Sequence, residues 1–509
     1  MQYILSKDEM MMADRKTSDE MHVPSAVLME RAGLKIADEA EKILAQVKEQ
    51  RKNSRNNSRN NRTLVVSGPG NNGGDGFVVG RILMERGFTV DFVLVGGEEK
   101  TSPLEKEQIL SVKAFAPEVR IADAVPDRDY AVVIDAVFGV SLSRDVGGIY
   151  AKAIDSINEL RERGSYVISV DIPSGIDADT GKVMGTAVRA DMTVACAFPK
   201  VGEIMLPGTL YAGKLVTAEI GITERSLCAE PKLSSYEEHE IRLPDRKSDS
   251  NKGTYGKVLL IAGSRDIAGA AVLAARAALK TGCGMVRVFA HENNRTVIQS
   301  TVPEALVTVW KENDSDETKR ALADAIKWST ALAIGPGLGT SEDAAEILET
   351  ALSECVERPV VLDADALNII SKNKELLKTG SSEKVITPHV GEMSRLTGLS
   401  IPEVKDDLIG TAGSFAKKHG LTCVLKDSRT VTALKDGTAV VNRNGNNGLA
   451  TAGSGDVLTG IIVSLIAQGV SPEKAASLGV ALHGKAGDKG AKEFGCHGLL
   501  AGDIIDAIC

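Results

Sequence analysis

Near the end of the chain, Asn444-Gly-Asn-Asn-Gly-Leu-Ala-Thr-Ala-Gly-Ser-Gly-Asp456 runs into the apolar stretch VLTGIIVSLIAQG. Gly453, Ser454 and Gly455 would aim backbone N–H groups at an anion, with a helix N-terminus starting at Asp456. Asp456 then stands where it can take the proton of a hydroxyl that attacks a phosphoryl group. An anion cradle and a positioned base are the parts that phosphoryl transfer needs. The alternative for an Asp there is a helix cap.

Other pieces of the second half fit a nucleotide site. Lys257-Val-Leu-Leu-Ile-Ala-Gly-Ser264 reads as a strand and glycine turn entering an Ala-rich helix, and Gly335-Pro-Gly-Leu-Gly339 follows the strand ALAI. Thr387-Pro-His-Val-Gly-Glu392 precedes a helix, with His389 open to a structural or a catalytic role. Lys426-Asp-Ser-Arg-Thr430 offers cations for phosphate at a strand end. Asp363 and Asp365 follow the strand VVL, where they would hold magnesium through water or form a turn.

In the first half, Gly68-Pro-Gly-Asn-Asn-Gly-Gly-Asp-Gly76 lies between a strand and a helix expected from Phe77. Gly68, Gly70 and Gly73 make GxGxxG, with Asp91 about twenty residues on, which is the pattern of a dinucleotide loop or of a tight turn. Asn71, Asn72 and Asp75 argue against an ordinary hydride-transfer site, because a carboxylate repels phosphate unless a cation intervenes. Amide and carboxylate oxygens are what a hard cation wants. Asp135, Asp171 and Lys200 mark three further strand ends, which meet above an open parallel sheet.

Short apolar strands alternating with glycine turns and helical patterns predict parallel α/β architecture in both halves. Strands are expected at 64–67, 89–95, 131–135, 166–171 and 192–198, then at 258–262, 286–290, 331–334, 360–362, 385–387 and 423–425. A helix is expected over 25–44, and two Ala/Gly-rich helices from near Asp456 and Ser471. Between them, 46–62 is a polar, basic, low-complexity stretch that reads as a solvated connector. The polar, turn-rich 222–251 region carries the domain boundary.

Composition limits the alternatives. The chain has 509 residues, 43% hydrophobic and 25% charged, which rules out wholesale disorder. A net charge of −9 leaves no broad basic field for nucleic acid. Seven scattered cysteines without a CxxC pair fit a reducing cytoplasm. No run approaches the roughly 18–20 apolar residues of a membrane span, and acids replace the apolar stretch of a signal peptide. A cytoplasmic protein is therefore expected.

Taken as an ordered set, Met29-Glu-Arg-Ala-Gly33, GPGNNGGDG, VVIDAVFG, SVDIPSGID and FPKVGEIMLPG resemble the YjeF N-terminal family of NAD(P)H-hydrate epimerases. The resemblance implies a Rossmann-like, three-layer domain over 1–225 that interconverts the R and S hydrates at C6 of the dihydronicotinamide ring. It implies a potassium ion on Asn72, Asp135 and Ser174. It also implies substrate contacts from Asn71, Asn72, Gly73, Gly74 and Asp75, from Gly139, Val140, Ser141, Leu142, Ser143, Arg144 and Asp145, and from Asp171. Either Asp171 or Lys200 would move the proton. The family's FGTGL is Phe138-Gly-Val-Ser-Leu142 here, and Ser141 is expected to crowd the backbone.

KGTYGKVLLIAGS, IGPGLG, DADALN, TPHVGE and AGSGDVLTG resemble the YjeF C-terminal family, the ADP- or ATP-dependent NAD(P)H-hydrate dehydratases. This implies a ribokinase-like α/β domain over 235–509, with Ala270, Gly337, His389 and Asp456 at the hydrate. Lys426, Asp427, Ser428, Arg429, Thr430 and Gly455 would hold the adenine nucleotide with Mg²⁺. Asp456 would be the catalytic base. Asp427 replaces the family's glycine, which would alter phosphate contacts. Together the two resemblances imply repair of NADHX and NADPHX, and a homo-oligomer is expected. A kinase of a small vitamin alcohol is the rival for the second half, and an NAD-dependent dehydrogenase for the first.

Overall fold

A computed structural model describes residues 1–52, 62–312, 314–380 and 383–508. It divides into two compact units, Tyr3–Pro231 and Lys232–Cys509 with Met1–Gln2. Most of the low-complexity connector, 53–61, lies outside the described residues.

In the first unit, seven parallel strands take the order Ile121–Ala122, Thr89–Leu94, Arg62–Ser67, Val132–Ala136, Tyr166–Val170, Met192–Cys196 and Lys214–Ala218. The chain starts in the middle, winds outward to one edge, then returns to wind toward the other, which is the Rossmann order with one added strand. Both faces are covered, so the strands are apolar on both sides. Val65, Ile134, Ile168 and Val194 pack under the helices Ser25–Lys52, Asn71–Glu85 and Pro103–Phe115. Leu64, Val66, Val133 and Val167 pack on Ile154, Ile157 and Leu160 of the helix Gly148–Glu162.

The pattern of expected strands holds, with shifted ends and omissions. Asp135 lies inside its strand, and Asp171 follows its strand at φ 67. Lys214–Ala218 was missed because only Ala218 of its five residues is fully buried. The helix expected from Phe77 starts at Asn71, so the second half of the glycine loop forms its first turns. Glycines there let the helix sit against the strand ends: a Cβ at Gly76 would stand 2.6 Å from Ala136 Cβ. The helix Lys7–Asp19 was also missed, although Ser6 and Glu9 form a capping box at its start.

In the second unit, parallel strands run in the order Thr422–Leu425, Lys384–Ile386, Val360–Leu362, Ala331–Ile334, Lys257–Ile261, Met285–His291 and Leu306–Trp310. Antiparallel Val431–Ala433 and Ala439–Val441 extend the Thr422–Leu425 edge. The two Ala/Gly-rich helices are Ser454–Ala467 and Pro472–Gly498. Their composition reflects burial inside this unit. Every residue from Val457 to Ala467 is buried, and a Cβ at Gly460 would stand 2.3 Å from Ala274 O of the helix Gly269–Thr281. Among the described residues no helix is long and apolar enough to cross a membrane.

Candidate functional site

Each unit has a crevice where its strand order reverses, the place where open α/β sheets bind ligands. In the first unit this lies between Arg62–Ser67 and Val132–Ala136, where Gly68 N donates to Ala136 O at 3.0 Å. The crevice opens into a cavity of about 350 Å³ whose lining includes Asp14, Asn71, Asn72, Asp75, Gly139 and Asp171, a volume suited to a small ligand. Val140 and Ser141 line it too, whereas Leu142, Ser143, Arg144 and Asp145 do not. Gly73 and Gly74 are buried and do not line it. Neither Val140 nor Ser141 has a positive φ, so their side chains cost no backbone strain.

Asp135 and Ser174 are brought together. Ser174 Oγ donates to Asp135 Oδ1 at 2.6 Å, while Ser174 N and Ser169 Oγ reach Oδ2 at 3.0 and 2.7 Å. Burial pushes the Asp135 pKa up against these hydrogen bonds. Asn72 has one amide end, placed as Nδ2, buried without a partner. The two ends of an amide are interchangeable in placement. The donor set is therefore carboxylate, hydroxyl and an amide with a spare end, which fits a hard cation that would favour the charged Asp135.

Deeper in, the fully buried Lys200 ammonium is paired with Asp171, which also accepts from Cys196 N at 2.9 Å. Burial works against the Lys200 charge, but Asp171 and Glu203 outweigh it and its pKa rises. Burial, then the Asp171 and Asp14 charges, hold the Asp75 pKa well above the usual carboxylate range. The pKa of Asp14, on the unpredicted first helix and still open to solvent, is raised by partial desolvation at the cavity rim and by the Asp171 and Asp19 charges.

Sequence reasoning also missed Glu105. It is fully buried and takes Gly70 N at 2.8 Å, filling the position at the helix N-terminus where a dinucleotide phosphate would bind. Its signal was Ser102-Pro-Leu-Glu105, a capping-box spacing whose glutamate reaches the glycine loop instead of its own cap. Burial raises its pKa to about 7, against the Gly70 and Ser102 hydrogen bonds.

In the second unit the order reverses between Lys257–Ile261 and Ala331–Ile334, joined by Gly263 N to Pro336 O at 2.9 Å. Gly337, at φ 60, faces Ala270: a Cβ on it would stand 3.1 Å from Ala270 Cβ. Gly339 N donates to Asp365 Oδ2 at 2.9 Å. Lys426 Nζ reaches Asp363 Oδ1 at 2.8 Å, and Thr459 Oγ1 reaches Oδ2 at 2.7 Å. Both oxygens of Asp363 are thus engaged, one with Lys426 and one with Thr459.

The helix Ser454–Ala467 starts from Gly453 at φ 86, with no side-chain cap hydrogen bond. Asp456 is its third residue and is not a cap. Burial, then the Asp363 charge, raise its pKa to about 7 against the pull of Lys426. Gly455 approaches the same lysine, since a Cβ there would lie 3.4 Å from Lys426 Nζ.

His389 caps the helix Val390–Thr397, its Nδ1 accepting from Gly391 N at 2.9 Å, but its ring stays half exposed. A short parallel bridge joins it to Lys426. Burial, Lys426 and Arg395 lower its pKa, whereas burial raises the neighbouring Glu392 to about 7. Lys426–Thr430 forms the loop of the antiparallel edge hairpin, with Arg429 Nη1 donating to Arg443 O at 3.2 Å.

Comparison with known proteins finds matches over both units. The family described as YjeF-related protein N-terminus matches residues 25–202, and that described as NAD(P)H-hydrate dehydratase matches 258–509. The bifunctional NAD(P)H-hydrate repair enzyme of Thermofilum pendens is 37% identical over 98% of this chain and 94% of its own length. That of Moorella thermoacetica is 36% identical over 99% of this chain and 95% of its own. Among solved structures, the ADP/ATP-dependent NAD(P)H-hydrate dehydratase of Bacillus subtilis, co-crystallized with ATP/Mg²⁺, is 34% identical. It covers 54% of this chain and 95% of its own, with a TM-score of 0.48.

Proposed function

The chain belongs to the family of bifunctional NAD(P)H-hydrate repair enzymes, and from that premise we propose that its two crevices perform the two successive reactions on one substrate. The 1–225 domain interconverts the R and S epimers of NADHX and NADPHX. The 235–509 domain dehydrates the S epimer to NAD(P)H, using ADP or ATP. The observation that carries this reading is Asp456, a half-buried carboxyl with a pKa of about 7 in the first turn of an uncapped helix, beside Lys426.

In the dehydratase, Asp456 takes the proton of the C6 hydroxyl as that oxygen attacks the terminal phosphoryl group. The P–O bond to the leaving AMP (or ADP) breaks, and N–H groups at Gly453–Gly455 with Lys426 stabilise the developing charge. The C6–O bond then breaks with its electron pair on phosphate, pushed by the ring nitrogen. Loss of a C5 proton completes NAD(P)H. Mg²⁺, when bound, would be held through water by Asp363 and Asp365 and would neutralise phosphate charge. His389, Gly337 and Ala270 shape the hydrate end.

In the epimerase, Asp171 moves the proton at the substrate's C6 end, and Lys200 holds it in place as a buried cation. Potassium on Asn72, Asp135 and Ser174 supplies a fixed positive charge when bound. Asn71 and Asp75 face the substrate from the helix start.

The test is conversion of mixed-epimer NADHX with ADP and potassium, followed by the near-ultraviolet return of NADH. Complete conversion is expected, abolished by Asp456→Asn and halted after the S fraction by Asp135→Ala. No conversion with either nucleotide sinks the reading, and an accumulating phosphorylated product turns it into a kinase.

A further inference from the structure

One face of the helix Pro472–Gly498 grips the segment that leads to Asp456. His483 Nε2 lies 3.1 Å from Ser454 Oγ, and both groups are buried. Five residues further on, Asp488 accepts from Gly445 N through Oδ2 and from Asn446 Nδ2 through Oδ1, each at 2.9 Å. The two glycines between them lie flat against the same segment. A Cβ at Gly484 would stand 2.9 Å from Asn444 O, and one at Gly487 would stand 2.5 Å from Leu449 Cδ2. Positions i, i+1, i+4 and i+5 share one side of a helix. Two polar residues thus hold the ends of the 444–454 segment, and two glycines let it approach in between.

The chemistry of the pair is specific. Burial drives the His483 pKa down to about 4, so the ring is neutral at working pH. A neutral imidazole carries one donor and one acceptor nitrogen. If Nε2 carries the proton, it donates to Ser454 Oγ, and the serine O–H is left free to donate elsewhere. Ser454 is the first residue of the helix that carries Asp456, two positions before it.

We infer that His483 and Asp488 are positioning residues for the adenine nucleotide: Asp488 clamps the incoming segment, and His483 turns the Ser454 hydroxyl into a donor to the terminal phosphoryl group. The inference rests on reading this unit as the dehydratase. Neither residue touches the nucleotide itself.

The experiment compares His483→Gln, which keeps an N–H near Nε2, with His483→Leu, which fills the space without one. Steady-state dehydration of S-NADHX by the full chain is measured at varied ADP, together with its epimerase rate. The expected result is a KM for ADP raised about tenfold by His483→Leu, the size of one hydrogen bond. His483→Gln should remain within about threefold, and Asp488→Ala should behave like His483→Leu. The KM for the hydrate and the epimerase rate should not move. Equal behaviour of the Gln and Leu variants, unchanged ADP kinetics, or parallel loss of both activities overturns the inference. Failure of the unmutated chain to dehydrate overturns the dehydratase reading, and this inference with it.

Discussion

Lys426 Nζ lies 2.8 Å from Asp363 Oδ1, and through that contact two carboxyls of one crevice are driven apart. Burial opposes the Asp363 charge, but Lys426 and Thr459 hold its pKa below the usual value. Asp456 is pushed the other way, to about 7, by burial and by the Asp363 charge. One carboxylate is a fixed charge and the other a titrating base, the division of labour that acid–base chemistry near neutrality requires.

Dehydration should therefore follow the ionisation of Asp456. A base must be deprotonated to act, so kcat should rise with pH through about 7 and level off above it. A pH–rate profile with saturating S-NADHX and ADP checks this. A flat profile between pH 6 and 8 would remove Asp456 as the base.

Asp363→Asn removes the like charge facing Asp456 and frees Lys426 to attract it. Both effects lower the Asp456 pKa, and the rising limb of the profile should move down by about one pH unit. Leaving Lys426 with its buried partner gone should also destabilise the unit by roughly 3–5 kcal/mol. Urea unfolding measures the second effect. A limb displaced upward would contradict the arrangement.

Lys200→Met should separate the two activities. Asp171 loses the cation that holds it, and the epimerase rate should fall by roughly 10²-fold or more, the scale of one proton-transfer group. Dehydration of purified S-NADHX should not change. Comparing the two rates on the same preparation gives the answer, and equal loss of both would point to misfolding.

Glu105 ties stability to pH. Its folded pKa of about 7 lies above the 4.5 of a free glutamate, so between those values the folded chain holds a proton that the unfolded chain releases. Stability is then fully present below about pH 4.5 and lost as pH rises through 7, by up to about 3 kcal/mol at the upper end. Glu105→Gln keeps an acceptor for Gly70 N and should be the more stable protein at pH 8. Denaturant curves at pH 5 and pH 8 should show the gap only at the higher pH.

The motifs and the alternating strands were legible because each lies in consecutive residues at a strand end. Gly68–Gly76, Asp135, Asp171, Gly335–Gly339 and Asp456 announce themselves by type and spacing. Glu105, Thr459, His483 and Asp488 did not, because each reaches its partner across the fold from the interior or start of a helix. The Asp363–Lys426 pair was only half legible: both residues were singled out, but nothing in a sequence says that residues 63 apart cancel each other. The helix start at Asn71 was misjudged because Asn and Gly read as loop residues, whereas tight packing on Ala136 makes small residues necessary there.

The carboxylate seated on Gly70 makes the glycine loop its own occupant. Glu105 is tethered a few ångströms from the amide it holds, so its effective concentration there exceeds that of any free dinucleotide. A pyrophosphate arriving at that helix end meets a group already bound and, above neutrality, of its own sign. A dinucleotide bound in this unit must therefore seat its pyrophosphate away from the Gly70 amide, and a nicotinamide-dependent oxidoreductase of the usual kind could be made from it only by evicting Glu105.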